Sequence, residues 1–140
     1  MRIKNKGINF IVSGWITINH PENITVGDNV HLSKGMFIDS RGKVEIGDNI
    51  SISSNVSIYT TTHNYNNFNN LNEKSFMIKN VKIGDNVWMC EGVKLLPGIT
   101  IGNNVIIQAG TIVTKDVPDN AIIGMPQFNI IKYRKFKGLS

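Results

Sequence analysis

The 140-residue sequence is 41% hydrophobic and 18% charged, with a net charge of +5 and one cysteine, the composition of a single soluble globular domain with a modest core. No apolar run approaches the ~20 residues of a membrane-spanning helix, no cleavable leader pattern opens the chain, and Cys90 lacks a disulfide partner, so a reducing, cytoplasmic compartment is expected. The basic residues are scattered except for Lys132, Arg134, Lys135 and Lys137, and aromatics are not interleaved with them, so no nucleic-acid partner is expected; the basic tail is either a solvated end or an attractor for a phosphorylated small molecule.

Residues 1–24 alternate apolar side chains at Ile8, Phe10, Val12, Ile16 and Ile18. They are expected to form an irregular first rung or cap, since an open sheet end offers unpaired strand groups to other chains. An internal repeat follows: Val26-Gly27-Asp28-Asn29-Val30 returns at Ile46-Gly47-Asp48-Asn49-Ile50, Ile83-Gly84-Asp85-Asn86-Val87 and Ile101-Gly102-Asn103-Asn104-Val105. Gly and Asn tolerate positive φ, so their place between apolar strand residues marks corners.

Within 81–117 apolar residues recur in steps of six. One file runs Ile83, Met89, Leu95, Ile101, Ile107, Val113; a second runs Val87, Val93, Ile99, Val105, Thr111, Val117. Neither a helix nor a plain strand repeats at six, so each hexad is a short strand and a corner, which predicts an all-β, parallel β-helix of hexapeptide repeats. The interval Gly84 to Gly102 is eighteen residues, one triangular coil; Gly27 to Gly47 is twenty, predicting a two-residue bulge around Asp39-Ser40-Arg41-Gly42. Gly47 to Gly84 is thirty-seven, so about nineteen residues leave the repeat, and they fall at 60–80, where the period of six stops. A loop that long in a compact repeat is usually functional or disordered; with Tyr65, Phe68, Leu71, Phe76 and Met77 available for packing, this one is expected to be ordered. The repeat is expected to end at Pro118, with a turn and a short strand or helix in the 119–140 tail.

His63 stands at the start of the excursion loop, where a side chain can face a cleft. Its ordinary pKa lies near working pH, which suits a general base, although the residues alone favour a surface histidine in a polar loop. His20 precedes a proline in a turn, and His31 is expected to point outward from a strand. Trp88 follows an inward Val87 and should point out, as an interface or ligand wall or as a lone exposed aromatic. Trp15 is a possible cap residue, and Cys90, at a corner, is read as structural. A zinc hydratase would need three histidines around one metal, and none follows His63, so no metal is expected.

The blocks Ile83-Gly84-Asp85-Asn86-Val87-Trp88, Leu96-Pro97-Gly98-Ile99-Thr100-Ile101-Gly102, Ala109-Gly110-Thr111-Ile112-Val113-Thr114-Lys115-Asp116-Val117-Pro118 and Gly124-Met125-Pro126 resemble those of the left-handed β-helix acyltransferases. The nearest likeness is to the branch of sugar O-acetyltransferases that act on maltose, galactosides, nodulation factors and capsular or exopolysaccharides, and it covers roughly residues 24–132. The resemblance implies a homotrimer with active sites between subunits, acetyl-CoA as acyl donor and a sugar or glycan hydroxyl as acceptor. His63 matches the family's catalytic histidine, which takes the hydroxyl proton as that oxygen attacks the thioester, and Trp88 matches its active-site tryptophan. Ala109, Thr114 and Lys115 match positions along the pantetheine and phosphate path, and Phe128 and Lys132 lie where the family's tail approaches the nucleotide end. Asp39 resembles an acidic residue on the acceptor side, and Asn64 and Tyr65, beside His63, are expected there too.

Two departures from the family pattern bear on the site. Met89-Cys90-Glu91 replaces an aliphatic residue followed by small ones, which leaves the Glu91 amide as the expected contact to the thioester oxygen while adding a carboxylate near the cleft. Gln127-Phe128 replaces the usual Ala-Lys or Cys-Arg after the Gly-x-Pro turn, which removes one basic residue and shifts phosphate binding to Lys132 or Arg134. The helical N-terminal domain of the maltose and galactoside branch has no counterpart, which favours a glycan or activated sugar over a small free sugar. The alternatives are transfer to the amine of an amino sugar and a non-catalytic β-helix scaffold.

Overall fold

The repeated block turns the chain at the same place in every coil. In a computed structural model, which describes residues 3–64, 66, 75–126 and 129–135, Asn9, Asn29, Asn49, Asn86, Asn104 and Asn120 all adopt left-handed backbone with φ between 56° and 65°, a conformation Asn accepts more readily than other side chains. Their carboxamides pass a hydrogen bond along the stack: Nδ2 of Asn9 donates to Oδ1 of Asn29 at 3.0 Å, and Asn86 and Asn104 continue it to Asn120 at 3.2 and 3.1 Å. From the second coil on, the residue before the Asn caps a neighbour, as Oδ1 of Asp28, Asp48 and Asp85 accepts from the amides of Ile8, Asp28 and Asp48 at 2.9, 2.7 and 2.8 Å.

The glycines of the block serve a different purpose from the one their sequence position suggested. Gly27 does not have positive φ; a Cβ there would lie 2.1 Å from Oδ1 of Asp48 and 2.7 Å from the carbonyl oxygen of Gly47. Glycine is required because the next coil, with its capping carboxylate, approaches too closely for a side chain.

Five coils and part of a sixth result, each with three short strands. The first is β1 (Asn5–Lys6), β2 (Phe10–Ser13) and β3 (Thr17–Ile18); the second β4 (Ile24–Val26), β5 (Val30–Ser33) and β6 (Phe37–Asp39); the third β7 (Val44–Ile46), β8 (Ile50–Ile52) and β9 (Ser57–Tyr59). A hairpin of β10 (Thr61–His63) and β11 (Phe76–Ile78) interrupts the winding. It resumes with β12 (Val81–Ile83), β13 (Val87–Met89) and β14 (Lys94–Leu95), then β15 (Thr100–Ile101), β16 (Val105–Ile107) and β17 (Ile112–Val113), and ends at β18 (Ile122–Ile123). Equivalent strands stack into three parallel sheets: a first face β1-β4-β7-β12-β15, a second β2-β5-β8-β13-β16-β18 and a third β3-β6-β9-β14-β17. Both hexad files of 81–117 lie in the core, every member 5% exposed or less, and Thr111 is accommodated because its hydroxyl donates to the Gln108 carbonyl at 2.7 Å.

The chain's start differs from expectation. Residues 3–24 are a coil of the same three-faced stack, with Phe10 paired to Val30 and Val12 to Leu32, and its irregularity is the 3-10 turn at its last corner. The sequence disguises it because Ile8 stands where other coils carry an acidic or amide cap, and among the described residues no preceding coil offers an amide to accept from. Phe10 and Val12 point inward at an open end, where Ile3, Trp15, Ile16 and Ile18 line an apolar depression of about 420 Å³. The repeat also continues past Pro118: Oδ1 of Asp119 caps the Asn103 amide at 2.7 Å, and Ile122 pairs with Ile106. The expected short strand is β18, a continuation of the second face. No helix among the described residues is long and apolar enough to cross a membrane.

Candidate functional site

All the irregularity of the first three coils falls at one corner, between the third and first faces. Coils one and two are each two residues longer than the eighteen-residue pitch of coil four, with registers of 20 against 18. The extra residues lie at 19–23, where Pro21–Asn23 makes a 3-10 turn, and between β6 and β7, around Asp39-Ser40-Arg41-Gly42 as the spacing predicts. The third coil extends the same corner into the β10–β11 hairpin, and the step to the fourth coil is 37 residues. Bulge upon bulge, capped by a hairpin, makes a ledge on one edge of the prism.

Polar side chains, satisfied across coils, hold that ledge. Asp39, at the end of β6 and buried, accepts from Nδ2 of Asn19 at 2.7 Å and from the Thr61 hydroxyl. Burial pushes the Asp39 carboxyl upward, but the hydrogen bonds from Thr61, Asn19 and the Arg41 and Thr60 amides outweigh it and hold its pKa below the ordinary value. Oδ1 of Asn19 accepts from the Ser40 amide at 2.8 Å, and Asn23 donates to the Ser40 and Arg41 carbonyls at 2.9 and 3.1 Å. The buried Thr60 hydroxyl accepts from the Gly42 amide and donates to the Asp39 carbonyl, at 2.9 and 2.8 Å.

The hairpin lays one face on this ledge. Alternate residues of a strand share a face, and the pairs Thr61 with Ile78 and His63 with Phe76 put those four side chains together. Thr61 reaches Asp39, and the Ile78 side chain closes over Gly42. The Phe76 ring lies 4.5 Å from the His63 ring, and the Arg41 guanidinium sits 5.1 Å from the Phe76 centroid. Nδ1 of His63 is 2.9 Å from the Ser75 hydroxyl, and Ser75 is buried. The imidazole is therefore oriented by a hydroxyl at one nitrogen and an aromatic face at its side, half-buried on a ribbon instead of free in a polar loop.

The other expected residues separate into two groups. Thr114 and Lys115 lie on the same edge as His63, two coils on, and line a groove of about 310 Å³ with Ile112, Pro118 and Met125. Asn64 follows His63; its amide donates to the Ser75 carbonyl at 2.7 Å and its side chain accepts from the Asn66 amide at 3.1 Å, so it shapes the turn. Trp88 projects from β13 on the second face, 49% exposed and lining a depression with Ser51 and Ile106. Glu91 and Ala109 occupy the corner after that face, where Gly92 and Gly110 have φ of 74° and the Gly110 amide donates to the Glu91 carbonyl at 2.8 Å. The Cys90-Glu91 departure thus leaves a regular corner, and the Glu91 carboxylate accepts from Asn55 at 3.4 Å. In a three-sided prism the corner bearing His63 is opposite the face bearing Trp88, so one chain does not bring the two together. Lys132 is exposed in the tail, and Tyr65 and Phe128 lie outside the described residues.

Sequence reasoning did not single out Ser75, Phe76, Thr61, Asn19 or Arg41 for the site. Only Thr61 had a local signal, two residues before His63 and so on its face of a strand. The others reach the ledge through coil stacking and hairpin pairing. His31 does point outward, its Nε2 2.7 Å from the Ser13 hydroxyl, and His20 pairs with Glu22 at 2.9 Å.

The family model described as bacterial transferase hexapeptide (six repeats) matches residues 80–115, nearly the stretch whose hexads are clearest. The galactoside O-acetyltransferase of Escherichia coli is 36% identical over 121 residues, 86% of this chain and 59% of that protein. The crystal structure of a maltose O-acetyltransferase from Clostridium difficile is 38% identical with a TM-score of 0.76, covering 85% of this chain and 63% of that one. A galactoside acetyltransferase in complex with coenzyme A is 29% identical with a TM-score of 0.67, covering 84% and 61%. The chain therefore spans about three fifths of the length of these relatives. With the eighteen-residue coil, the corner chemistry and a likeness running through most of its own length, the chain belongs to the left-handed β-helix, hexapeptide-repeat acyltransferases.

Proposed function

We propose that the chain is an acetyl-CoA-dependent O-acetyltransferase that acts on a hydroxyl of a sugar or surface glycan, with His63 as general base and active sites formed between the copies of a homotrimer. The observation that carries the reading is the seating of His63, whose Nδ1 lies 2.9 Å from Ser75 Oγ and whose ring packs against Phe76; in the tautomer whose Nδ1–H donates to Ser75, the basic lone pair is on Nε2. A base must be positioned before its pKa can be used, and this ring is positioned. The acceptor hydroxyl would give its proton to Nε2 as its oxygen attacks the thioester carbonyl, and the protonated imidazole would return that proton to the departing thiolate.

The donor path in this reading follows Thr114, Lys115 and Ala109, with Phe128 and Lys132 toward the nucleotide end, and the Glu91 amide faces the thioester oxygen as it gains charge. The acceptor occupies the ledge beside Asp39, with Asn64 and Tyr65 at its margin. The separation of His63 from Trp88 on one chain supports sites shared between copies, since a second copy can bring its Trp88 face to this edge. The coenzyme A complex of the galactoside acetyltransferase supports the choice of donor.

The test is thiol release from acetyl-CoA against a panel of sugars, nucleotide-linked sugars and capsular oligosaccharides, with mass spectrometry of the products. His63→Ala should lower turnover on the productive acceptor by about a hundredfold or more, as loss of a general base does, with coenzyme A binding and the oligomer unchanged. Turnover near that of the wild type would refute the role of His63.

A further inference from the structure

We infer that Arg41 makes the acceptor site selective for a sugar bearing an anionic group, a carboxylate or a phosphate, next to the hydroxyl that is acetylated; this rests on the acetyltransferase reading above. Arg41 sits in the two-residue bulge of the second coil, on the ledge under the hairpin. Its backbone is held in place: its carbonyl accepts from Asn23 at 3.1 Å, and the preceding Ser40 donates its amide to Asn19 Oδ1 at 2.8 Å. Its guanidinium lies 5.1 Å from the Phe76 centroid, and the same Phe76 ring lies 4.5 Å from the His63 ring. The base and the cation thus contact the same aromatic ring, which places them as neighbours on the ledge.

The guanidinium is exposed, and among the described residues the only ion pair is His20 with Glu22, so no carboxylate there neutralises Arg41. The nearby Asp39 carboxylate is already engaged by Thr61 and Asn19. A guanidinium resting on an aromatic face keeps its in-plane N–H groups directed outward, the arrangement that takes a carboxylate or phosphate in bidentate fashion. Exposed Lys43, in the same bulge, adds positive charge and would draw an anionic acceptor toward the edge. Arg41 belongs to the second coil and Lys115 to the fifth, with the hairpin leaving from the third. The cation therefore lies on the far side of His63 from the donor path, where the acceptor enters.

The test compares matched acceptors, methyl glucoside against methyl glucuronide and against glucose 1-phosphate, in wild type, Arg41→Gln and Arg41→Lys. The wild type should favour one of the two anionic sugars over the neutral one in kcat/KM by about tenfold or more, the size of a good charge-assisted contact; which anion is favoured distinguishes carboxylate from phosphate. Arg41→Gln should erase the preference through the acceptor KM, leaving the acetyl-CoA KM within about twofold, and Arg41→Lys should restore only part of it because lysine lacks the planar fork. Preference for the neutral sugar, or equal losses on all three, would overturn the inference. If none of the three is acetylated, saturation-transfer NMR with methyl glucuronide and glucose 1-phosphate separates the two ideas. Binding that is lost in Arg41→Gln upholds the anion site while the transfer reading fails; absence of binding by the wild type overturns the anion site.

Discussion

Asp39 and Trp88 are the residues whose surroundings make the clearest demands. Removing the Asp39 carboxylate strands the Asn19 amide and the Thr61 hydroxyl, so Asp39→Ala should lower the unfolding free energy by about 2 kcal/mol, the usual cost of unsatisfied buried partners. Because the folded pKa lies below the unfolded one, this stabilisation is present above the ordinary carboxylate range and is lost as pH falls through the folded value. Denaturation midpoints of wild type and Asp39→Ala, at one protein concentration, should therefore differ most at neutral pH, and the gap should narrow as pH falls below the ordinary carboxylate range; a gap that stays constant in acid would show that the carboxylate's ionisation is not what stabilises the ledge. Trp88 lies on an outer face, so Trp88→Ala should leave the thermal midpoint of the isolated coil stack almost unchanged while weakening substrate placement. Steady-state kinetics with both substrates varied would reveal this as a raised KM, and unchanged kinetics would remove Trp88 from the site.

The coil and the hairpin answer to different physical rules. A coil closes only if its neighbour can approach, so Gly84→Ala, whose Cβ would meet Oδ1 of Asn103 at 2.4 Å and the Gly102 carbonyl oxygen at 2.8 Å, should destabilise the stack by about 1–3 kcal/mol, the range of overpacking, as read by thermal or urea unfolding. The hairpin lies outside the stack, and the coils before and after it pair without interruption, Ile46 with Ile83 and Ile58 with Leu95. Replacing residues 59–80 with the short corner Leu96-Pro97-Gly98 should therefore preserve the β-sheet circular dichroism signal and abolish acetyl transfer. The hairpin's place was legible because an eighteen-residue pitch leaves a remainder that can be counted. Its pairing was not, since Thr61, His63, Ser75 and Phe76 carry no alternation strong enough to announce two strands.

At the scale of the whole molecule, three faces share one core but differ outside it. The His63 corner and the Trp88 face cannot meet within a single prism, so a site that uses both must draw on two copies. Mixing His63→Ala with Trp88→Ala under conditions that let subunits exchange should then recover activity: in randomly assembled trimers about a quarter of the sites would hold an intact His63 from one chain and an intact Trp88 from the next. No recovery above the sum of the two variants would place both residues' functions within one chain. Sedimentation of the mixture, run alongside, reports whether exchange took place.

The sequence by itself determined the coil, its pitch, the identity of the inward files, the bulge around residues 39–42 and the point where the chain leaves the solenoid. Each of these is a matter of local period, and a parallel β-helix is built by repeating a local rule against the nearest neighbour. Only the tertiary structure decided that residues 3–24 are a full coil, that the block glycines serve close approach instead of positive φ, and that Asn19, Asp39 and Thr61 meet. Those facts depend on what the adjacent coil presents, and residues about twenty apart in sequence become neighbours only when the pitch, the bulge and the hairpin bring them to the same corner. The same stacking set Arg41 beside Phe76 and His63.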